Sequence, residues 1–488
     1  MTTTSRLCVT ITAPTTAELR RQRDLVTDAD LIELRLDSVS DPDVAGALEG
    51  RTRPVIVTCR ARWEGGGFDG PEEARRAMLA QALDLGADFV DIEWRAGFTD
   101  LLRTHGPRIV LSSHDFTGVP ADLRDQARQM RATGAGVVKI AVKASRLTDC
   151  LTLLDLSRDF EGDQRHVLIA MGDAGLASRV LAQRFGSAWT YAGTVRDVGQ
   201  ITSSRLLETF RFRTITADTA LYGLAGLPIG HSVSPDMHNA AFAAAGLDAV
   251  YLPLPAADAD DFVTFAKAFG LRGASVTIPY KVALFDRVHD LDDLSRTVGA
   301  LNTLKMEGDR WSARNTDVAG FLQPLRERHV PLQGRRAAIL GAGGSARAVA
   351  VGLASAGAHV TVHARDTRKA RVVADVVGGA TGSFPPVVGS SGSPGELHAG
   401  RHAAADRRES DSGVGVRARS RRGVRPHLQP GDHASHARRG DGRLRCHRRS
   451  RHARRTGAGA VRVVDRRSPT SRCDARRCQP AAFGVQRE

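Results

Sequence analysis

Residues 137–142 read VVKIAV, with Lys139 set among five aliphatic side chains. A short aliphatic run of this kind is the pattern of a strand buried on both faces, as in parallel sheets. Similar runs recur upstream: LCVTIT (7–12), LIELRLD (31–37), PVIVTCR (54–60), FVDIEW (89–94) and RIVLSSHDF (108–116). Two more follow, HVLIAMG (166–172) and WTYAG (189–193). Between them, stretches such as PEEARRAMLAQALDLG (71–86) and AGLASRVLAQRFG (174–186) place apolar residues at helical spacing. Eight strand–helix units in residues 1–215 predict an α/β fold, a (β/α)8 TIM barrel, whose chemistry gathers at the C-terminal strand ends.

Those ends are unusually polar. Glu33 and Arg35 lie on the second strand, Arg60 ends the third, Glu64 follows one loop step later, and His114 ends the fifth. A lysine inside a buried strand is costly unless neutral or paired. A desolvated amine is the better nucleophile toward carbonyls, and a histidine one strand away can move protons for the imine formed. Taken singly, Lys139 fits a snorkelling edge residue and His114 a structural cap; together with arginines and glutamates at one rim they read as a site, expected to hold a dry, uncharged amine beside an imidazole.

The whole chain has 488 residues, 42% hydrophobic and 25% charged, with six cysteines. This is ordinary globular composition, sufficient for two or three domains. No run has the length of a membrane span, and the start, MTTTSRLCVTIT, lacks a basic stretch followed by an apolar core, so a cytoplasmic protein is expected. The cysteines match neither a disulfide scaffold nor a zinc pattern, and no metal is expected. Cys8, Cys59 and Cys150 read as small buried hydrophobes.

Beyond residue 215 the pattern changes. LYGLAGLPIGHSVSPDMHNAAF (221–242) contains Ser234 as a helix N-cap with proline at the first helical position, and Ser232 beside it. Free N–H groups and two hydroxyls there suit a carboxylate, although an ordinary cap has the same letters. GASVTIPYK brings Lys281, GALNTL brings Asn302 and RNTDVAGF brings Asp317; a lysine and an aspartate among amides suit proton transfer in an alcohol–ketone redox step. RRAAILGAGGSARAVAVGLASAG (335–357) then reads strand, glycine turn, helix, the arrangement that cradles a pyrophosphate. The next strand ends at Arg365 rather than an acid, which favours a 2′-phosphate and hence NADP, with Arg368 and Lys369 as helpers.

Two resemblances sharpen this reading. The elements ELRLD, CRxxxEGG, SSHDF, VVKIAV, MGxxGxxSR and a late GQ resemble type I 3-dehydroquinate dehydratase over essentially its full length. That resemblance implies that Lys139 forms a Schiff base with the substrate ketone. It also implies that His114 removes the adjacent proton and helps expel the hydroxyl, and that Glu64 orients His114. Arg60 and Arg179 would hold the carboxylate and hydroxyls, with Glu33, Arg35 and Gln200 completing the pocket. Arg196-Asp197-Val198 stands where the family carries Ser-Ala-Pro. The order GxPIxHSxSPxxHN, VTIPxK, GAxNT, NTDxxG, GAGGxxxA resembles shikimate dehydrogenase, with Ser275 where many relatives have Asn. It implies Lys281 and Asp317 as the catalytic pair, Ser232, Ser234, Thr277 and Asn302 at the substrate, and Gly341, Ala342, Gly343, Gly344, Ser345 and Ala346 along the phosphate turn. The order of the two halves resembles the bifunctional plant-type fusion, in which the first product, 3-dehydroshikimate, is the second substrate. Expected divisions are 1–215 (barrel), 220–330 (αβ substrate domain), 331–389 (truncated Rossmann-type NADP domain) and 390–488 (tail).

The tail stands apart. Residues 390–488 carry 24 Arg and no Lys against nine Asp and Glu, so the entire formal charge of +15 lies there. Without Ile, Met, Asn, Tyr or Trp it is expected to be disordered. Read one nucleotide out of frame from the Ser391 codon, suitable codon choices turn residues 391–402 into WDLLVNCTPVGT. HLQPGDHASHA becomes TYNPETTPLM, and residues 443–466 become GCDAIGGLDMLVAQAQEQFEWWTG. These resemble the missing dehydrogenase strand, its Y-N-P turn and its closing helix, in order. A one-nucleotide insertion is therefore expected, with impaired dehydrogenase activity. The rival is a basic arm binding nucleic acid through phosphates, which lacks the aromatics that stack on bases. A non-catalytic remnant is the other alternative, against which the retained Lys, His and Glu argue.

Overall fold

A computed structural model of the chain describes residues 5–160, 164–195, 198–386 and the strand at 396–399. Among these the chain forms two compact units, one spanning Met1–Val318 and the other beginning at Ala319.

Eight strands open the first unit: β1 (Arg6–Ile11), β2 (Leu31–Arg35), β3 (Val55–Thr58), β4 (Phe89–Glu93), β5 (Ile109–Asp115), β6 (Val137–Lys143), β7 (Arg165–Met171) and β8 (Trp189–Ala192). Each falls on a run read from the sequence. All are parallel, in the order β7-β6-β5-β4-β3-β2-β1-β8, and the sheet curls into a barrel. At the seam, Ala188 N–H donates to the His166 carbonyl (2.8 Å), joining the starts of β8 and β7.

Strand parity decides what fills the lumen, because alternate residues of a strand share a face. One apolar cluster takes Cys8, Leu31, Ile56, Phe89, Val110, Val137, Val167 and Trp189, one from each strand. Two residues further along the same strands, the same face carries Thr10, Glu33, Thr58, Asp91, Ser112, Lys139, Ile169 and Tyr191. The barrel thus has an apolar floor and a charged layer above it, toward the C-terminal strand ends. The other strand face packs on the surrounding helices in the main apolar core.

The helical turns Arg205–Thr209 and Phe212–Thr214 lead to a six-stranded sheet of β9 (Ala220–Ala225), β10 (Ala249–Leu254), β11 (Gly273–Val276), β12 (Asp290–Leu291), β13 (Thr303–Glu307) and β14 (Arg310–Arg314), ordered β10-β9-β11-β13-β14-β12. Strands β13 and β14 form an antiparallel hairpin. This domain joins the barrel through buried Asp261 on the helix Ala259–Phe269. Its carboxylate accepts the N–H groups of Leu147 (3.0 Å) and Thr148 (2.9 Å) from the loop after β6.

In the second unit, β15 (Arg336–Leu340), β16 (His359–His363), β17 (Ala380–Gly382) and β18 (Glu396–Ala399) form a parallel sheet ordered β17-β16-β15-β18. One expectation changes. The tail contributes a strand, β18, where none was expected; the rest of 390–488 lies outside the described residues. The division between the two compact units falls at Val318 and Ala319, inside the helix Asp317–Glu327. No helix among the described residues is long and apolar enough to cross a membrane.

Candidate active site

The charged layer of the barrel is a connected network. Lys139 Nζ lies 2.9 Å from Asp91 Oδ2 and 3.6 Å from Glu33 Oε1, and 4.3 Å from the centre of the Tyr191 ring. Glu33 is itself held by the hydroxyls of Thr10 (2.7 Å) and Thr58 (3.0 Å). Arg60 donates through Nη2 to Asp91 Oδ1 (2.9 Å) and through Nη1 to Ser112 Oγ (2.7 Å) and Glu93 Oε1 (3.2 Å). The far oxygen of Glu93 meets Arg75, a fully buried guanidinium on the helix Glu72–Asp84. Burial alone would raise the Asp91 carboxyl, but Arg60 and then Lys139 outweigh it and hold it well below the usual range.

The amine is not the isolated one that the lone lysine in VVKIAV suggested. Lys139 is buried, yet strand parity sets Asp91 of β4 in its own layer, so it has a carboxylate partner. Buried charges are found paired for that reason.

His114 stands one parity step above Lys139's neighbour Ser112 on the adjacent strand. Glu64 reaches it from the loop after β3: its Oε1 lies 2.9 Å from His114 Nδ1 and accepts the His114 backbone N–H at 3.0 Å. The chain can turn back there because Gly65 takes φ +76° and a side chain at Gly66 would strike the Arg60 carbonyl. Burial pushes Glu64 up to about 7, against the pull of Arg60. Burial, then the nearby Arg60 and Lys139 cations, holds His114 well below its usual value, so the ring is neutral at pH 7.

Arg35 is tied to Asp37 through two hydrogen bonds (2.8 and 2.7 Å). Arg179, buried, donates to the Val198 carbonyl (2.8 Å), its Nε has no hydrogen-bond partner among the described residues, and burial lowers it to about 10. Gln200 accepts the Val195 N–H (3.1 Å). Arg196 and Asp197, part of the departure from the family pattern, lie outside the described residues. Sequence reading missed Asp91, Glu93 and Ser112. The signal was present: FVDIE puts two acids at alternate positions of a buried strand, the same anomaly as Lys139 in VVKIAV.

In the second domain, Lys281 Nζ meets Asp317 Oδ2 at 2.5 Å, and Asn302 Nδ2 donates to Asp317 Oδ1 at 2.8 Å. Asn302 Oδ1 in turn accepts the Thr316 N–H (2.9 Å), fixing the amide. Thr277 follows β11, its N–H bound to the Ala225 carbonyl (2.8 Å), and Leu227 N–H donates to the Ile278 carbonyl (2.9 Å), so the loop leading to Ser232 lies against the Thr277 turn. The helix starts at Ser234 with Val233 before it, not with Ser234 as its cap; the Ser232 hydroxyl accepts the Ser234 N–H (3.2 Å) and sits 3.1 Å from the Ser234 hydroxyl.

In the second unit, the turn after β15 fits a pyrophosphate. Gly341 takes φ +123°, a Cβ at Gly341 or Gly343 would meet only open space, and the helix Gly344–Ser355 begins without a side-chain cap. Ala342, Ser345 and Ala346 complete that turn. Arg365 and Arg368 are exposed beyond β16, and Asp366 accepts the Lys369 N–H (3.1 Å) as a helix cap. Among the described residues no group of His, Cys, Asp and Glu is arranged to hold a metal ion.

Residues 7–217 match the family model of type I 3-dehydroquinase, and residues 224–304 that of the shikimate dehydrogenase substrate binding domain. A chloroplastic bifunctional 3-dehydroquinate dehydratase/shikimate dehydrogenase of Arabidopsis thaliana is 31% identical over 385 residues, covering 72% of this chain and 63% of that protein. The shikimate biosynthesis protein AroDE of Chlamydia pneumoniae is 28% identical over 385 residues, covering 75% of this chain and 78% of its own. A shikimate dehydrogenase (NADP(+)) of Syntrophobacter fumaroxidans is 46% identical over 157 residues, 32% of this chain and 54% of that one. The chain spans 63% and 54% of the first and third of these relatives.

Proposed function

We propose, from the match of residues 7–217 to the type I 3-dehydroquinase family model and of residues 224–304 to the shikimate dehydrogenase substrate binding domain, that this chain is a two-step shikimate-pathway enzyme. The barrel dehydrates 3-dehydroquinate to 3-dehydroshikimate, and the second half reduces that product to shikimate with NADPH, a step that is weak or absent in the chain as it stands. It works in the cytoplasm on small molecules, without a nucleic-acid partner.

The observation that carries the first activity is the His114–Glu64 contact beside the buried Lys139. Lys139 condenses with the ketone and releases water. The resulting iminium withdraws electrons and acidifies the adjacent C–H. Neutral His114, its Nδ1–H held by Glu64, takes that proton through Nε2. The same nitrogen returns the proton to the departing hydroxyl, which leaves as water, and hydrolysis of the iminium frees the product and Lys139. Arg60 and Arg179 supply positive charge for the substrate carboxylate.

In the second half, Ser232 and Ser234 at a helix N-terminus suit the carboxylate. Lys281 and Asp317 hold the proton gained by the ketone oxygen. Gly341–Ala346 would hold the NADP pyrophosphate, and Arg365 and Arg368 the 2′-phosphate; the cofactor supplies hydride when bound. The test is borohydride trapping with dehydroquinate. Lys139 should carry the reduced adduct, and ultraviolet absorbance should rise as the conjugated product forms. A Lys139→Ala protein that still labels removes the proposed nucleophile.

A further inference from the structure

We infer that Asp91 is the partner of the Lys139 nitrogen in the dehydration, taking and returning its proton as the C–N bond forms and serving as the counter-ion of the iminium. The assignment rests on the Schiff-base reading of the barrel and deepens it. Asp91 is fully buried, and its two oxygens divide between two cations: Oδ2 to Lys139 Nζ at 2.9 Å, Oδ1 to Arg60 Nη2 at 2.9 Å. The Ser112 hydroxyl also donates to Oδ1, at 2.6 Å, and fixes the carboxylate plane from the strand between them. One carboxylate therefore sets the nucleophile and a substrate-binding guanidinium at a fixed separation.

The chemistry needs a charge at that place. An ammonium and a ketone give an iminium and water, so the nitrogen begins and ends cationic. In between, one ammonium proton passes along the hydrogen bond to Asp91 Oδ2, and the freed lone pair forms the C–N bond. A second proton moves from nitrogen to the alkoxide. Asp91 then returns its proton to that hydroxyl, the C–O bond breaks and water leaves. No net proton stays on Asp91, and Arg60 disfavours keeping one. A neutral imine would be a poor electron sink; a fixed carboxylate beside the nitrogen keeps it protonated when His114 attacks the C–H.

Asp91→Asn should bind dehydroquinate with KM within about threefold of wild type. It should lose about 100-fold in kcat and in the rate of borohydride-trapped adduct, and Asp91→Glu should regain part of both. An Asn variant that forms adduct and turns over at the wild-type rate overturns the assignment while the Schiff-base reading stands. Wild-type protein that forms no adduct ends both. Because Asn leaves two buried cations short of a partner, wild-type protein with nitrogen-15 lysine gives an independent reading. An iminium nitrogen still protonated at pH 9 supports the assignment, and a neutral imine there overturns it.

Discussion

Glu64 Oε1 meets His114 twice, at the ring Nδ1 (2.9 Å) and at the backbone N–H (3.0 Å). One contact alone would leave the imidazole free to swing about Glu64. With both, backbone and ring are referred to a single oxygen, and ionised Glu64 there favours Nδ1 as the donor and leaves Nε2 open for proton transfer.

Activity should follow the ionisation of Glu64. The carboxyl is displaced by burial to about 7, while His114 stays neutral well below that pH. Ionised Glu64 is the better acceptor for both His114 donors, so kcat for dehydration should rise with pH and level off above about 7. In Glu64→Gln the inflection should vanish and kcat should fall about 100-fold. A profile flat from pH 5.5 to 8.5 in the wild-type enzyme rejects this role.

The same displacement has a cost in stability. A carboxyl raised from 4.5 to about 7 stabilises the fold fully below pH 4.5, and the benefit is lost as pH rises through about 7. The size is at most about 3 kcal/mol. Glu64→Gln should therefore have a higher urea midpoint than wild type at pH 8 but not at pH 4.5. Equal midpoints at pH 8 would show that burying the ionised form costs nothing.

Arg75 tests the outer end of the network. It is fully buried, contacts Glu93, and donates to the Cys59 carbonyl (3.3 Å). Arg75→Met leaves Glu93 with the Arg60 guanidinium and the Ala61 N–H and should cost about 3 kcal/mol, since breaking a buried pair strands a charge. KM for dehydroquinate should also rise as Glu93 draws Arg60 aside. A loss below about 1 kcal/mol in urea unfolding would mean that water replaces the guanidinium.

The barrel was legible because its strands are separated by long helical patterns and have few alternatives as aliphatic runs. Lys139, His114, Glu64 and Arg60 were legible as single anomalies in that background. What was not legible is pairing across the lumen: that Asp91 faces Lys139 depends on register between β4, β5 and β6, which a strand-by-strand reading does not contain. Asp261 was invisible for a related reason, since its partners lie more than a hundred residues earlier. The Ser234 cap missed by one position, within the usual uncertainty of helix ends.

Asp261 should prove a structural link rather than a chemical one. Besides the Leu147 and Thr148 N–H groups it accepts the Thr148 O–H (2.8 Å) and the Ala257 N–H (2.9 Å). Burial would raise its carboxyl, but the N–H groups outweigh this and hold it below 3.8, so the link contributes above that pH and is lost on acidification. Asp261→Ala should cost about 3 kcal/mol by leaving buried donors unsatisfied, and should speed amide exchange at Leu147 and Thr148. Lys139 should still trap dehydroquinate. Unchanged exchange at those amides would refute the link.

The tail decides the fate of the reductase. Strand β18 lies parallel beside β15, with Glu396 opposite Arg336 and Ala399 opposite Ile339. A parallel strand covered by helices on both faces is normally apolar along its length, yet this one reads Glu-Leu-His-Ala. The out-of-frame reading places an apolar run, DLLVN, at residues 392–396, largely ahead of this strand. Sequencing the DNA across the Ser391 codon should reveal one extra nucleotide. A chain expressed with the frame restored should reduce 3-dehydroshikimate with NADPH at least about 100-fold faster than the unrestored chain, as a completed cofactor site implies. An unshifted gene whose product already reduces 3-dehydroshikimate at the restored chain's rate would remove the frameshift and make the arginine-rich segment a genuine part of the enzyme.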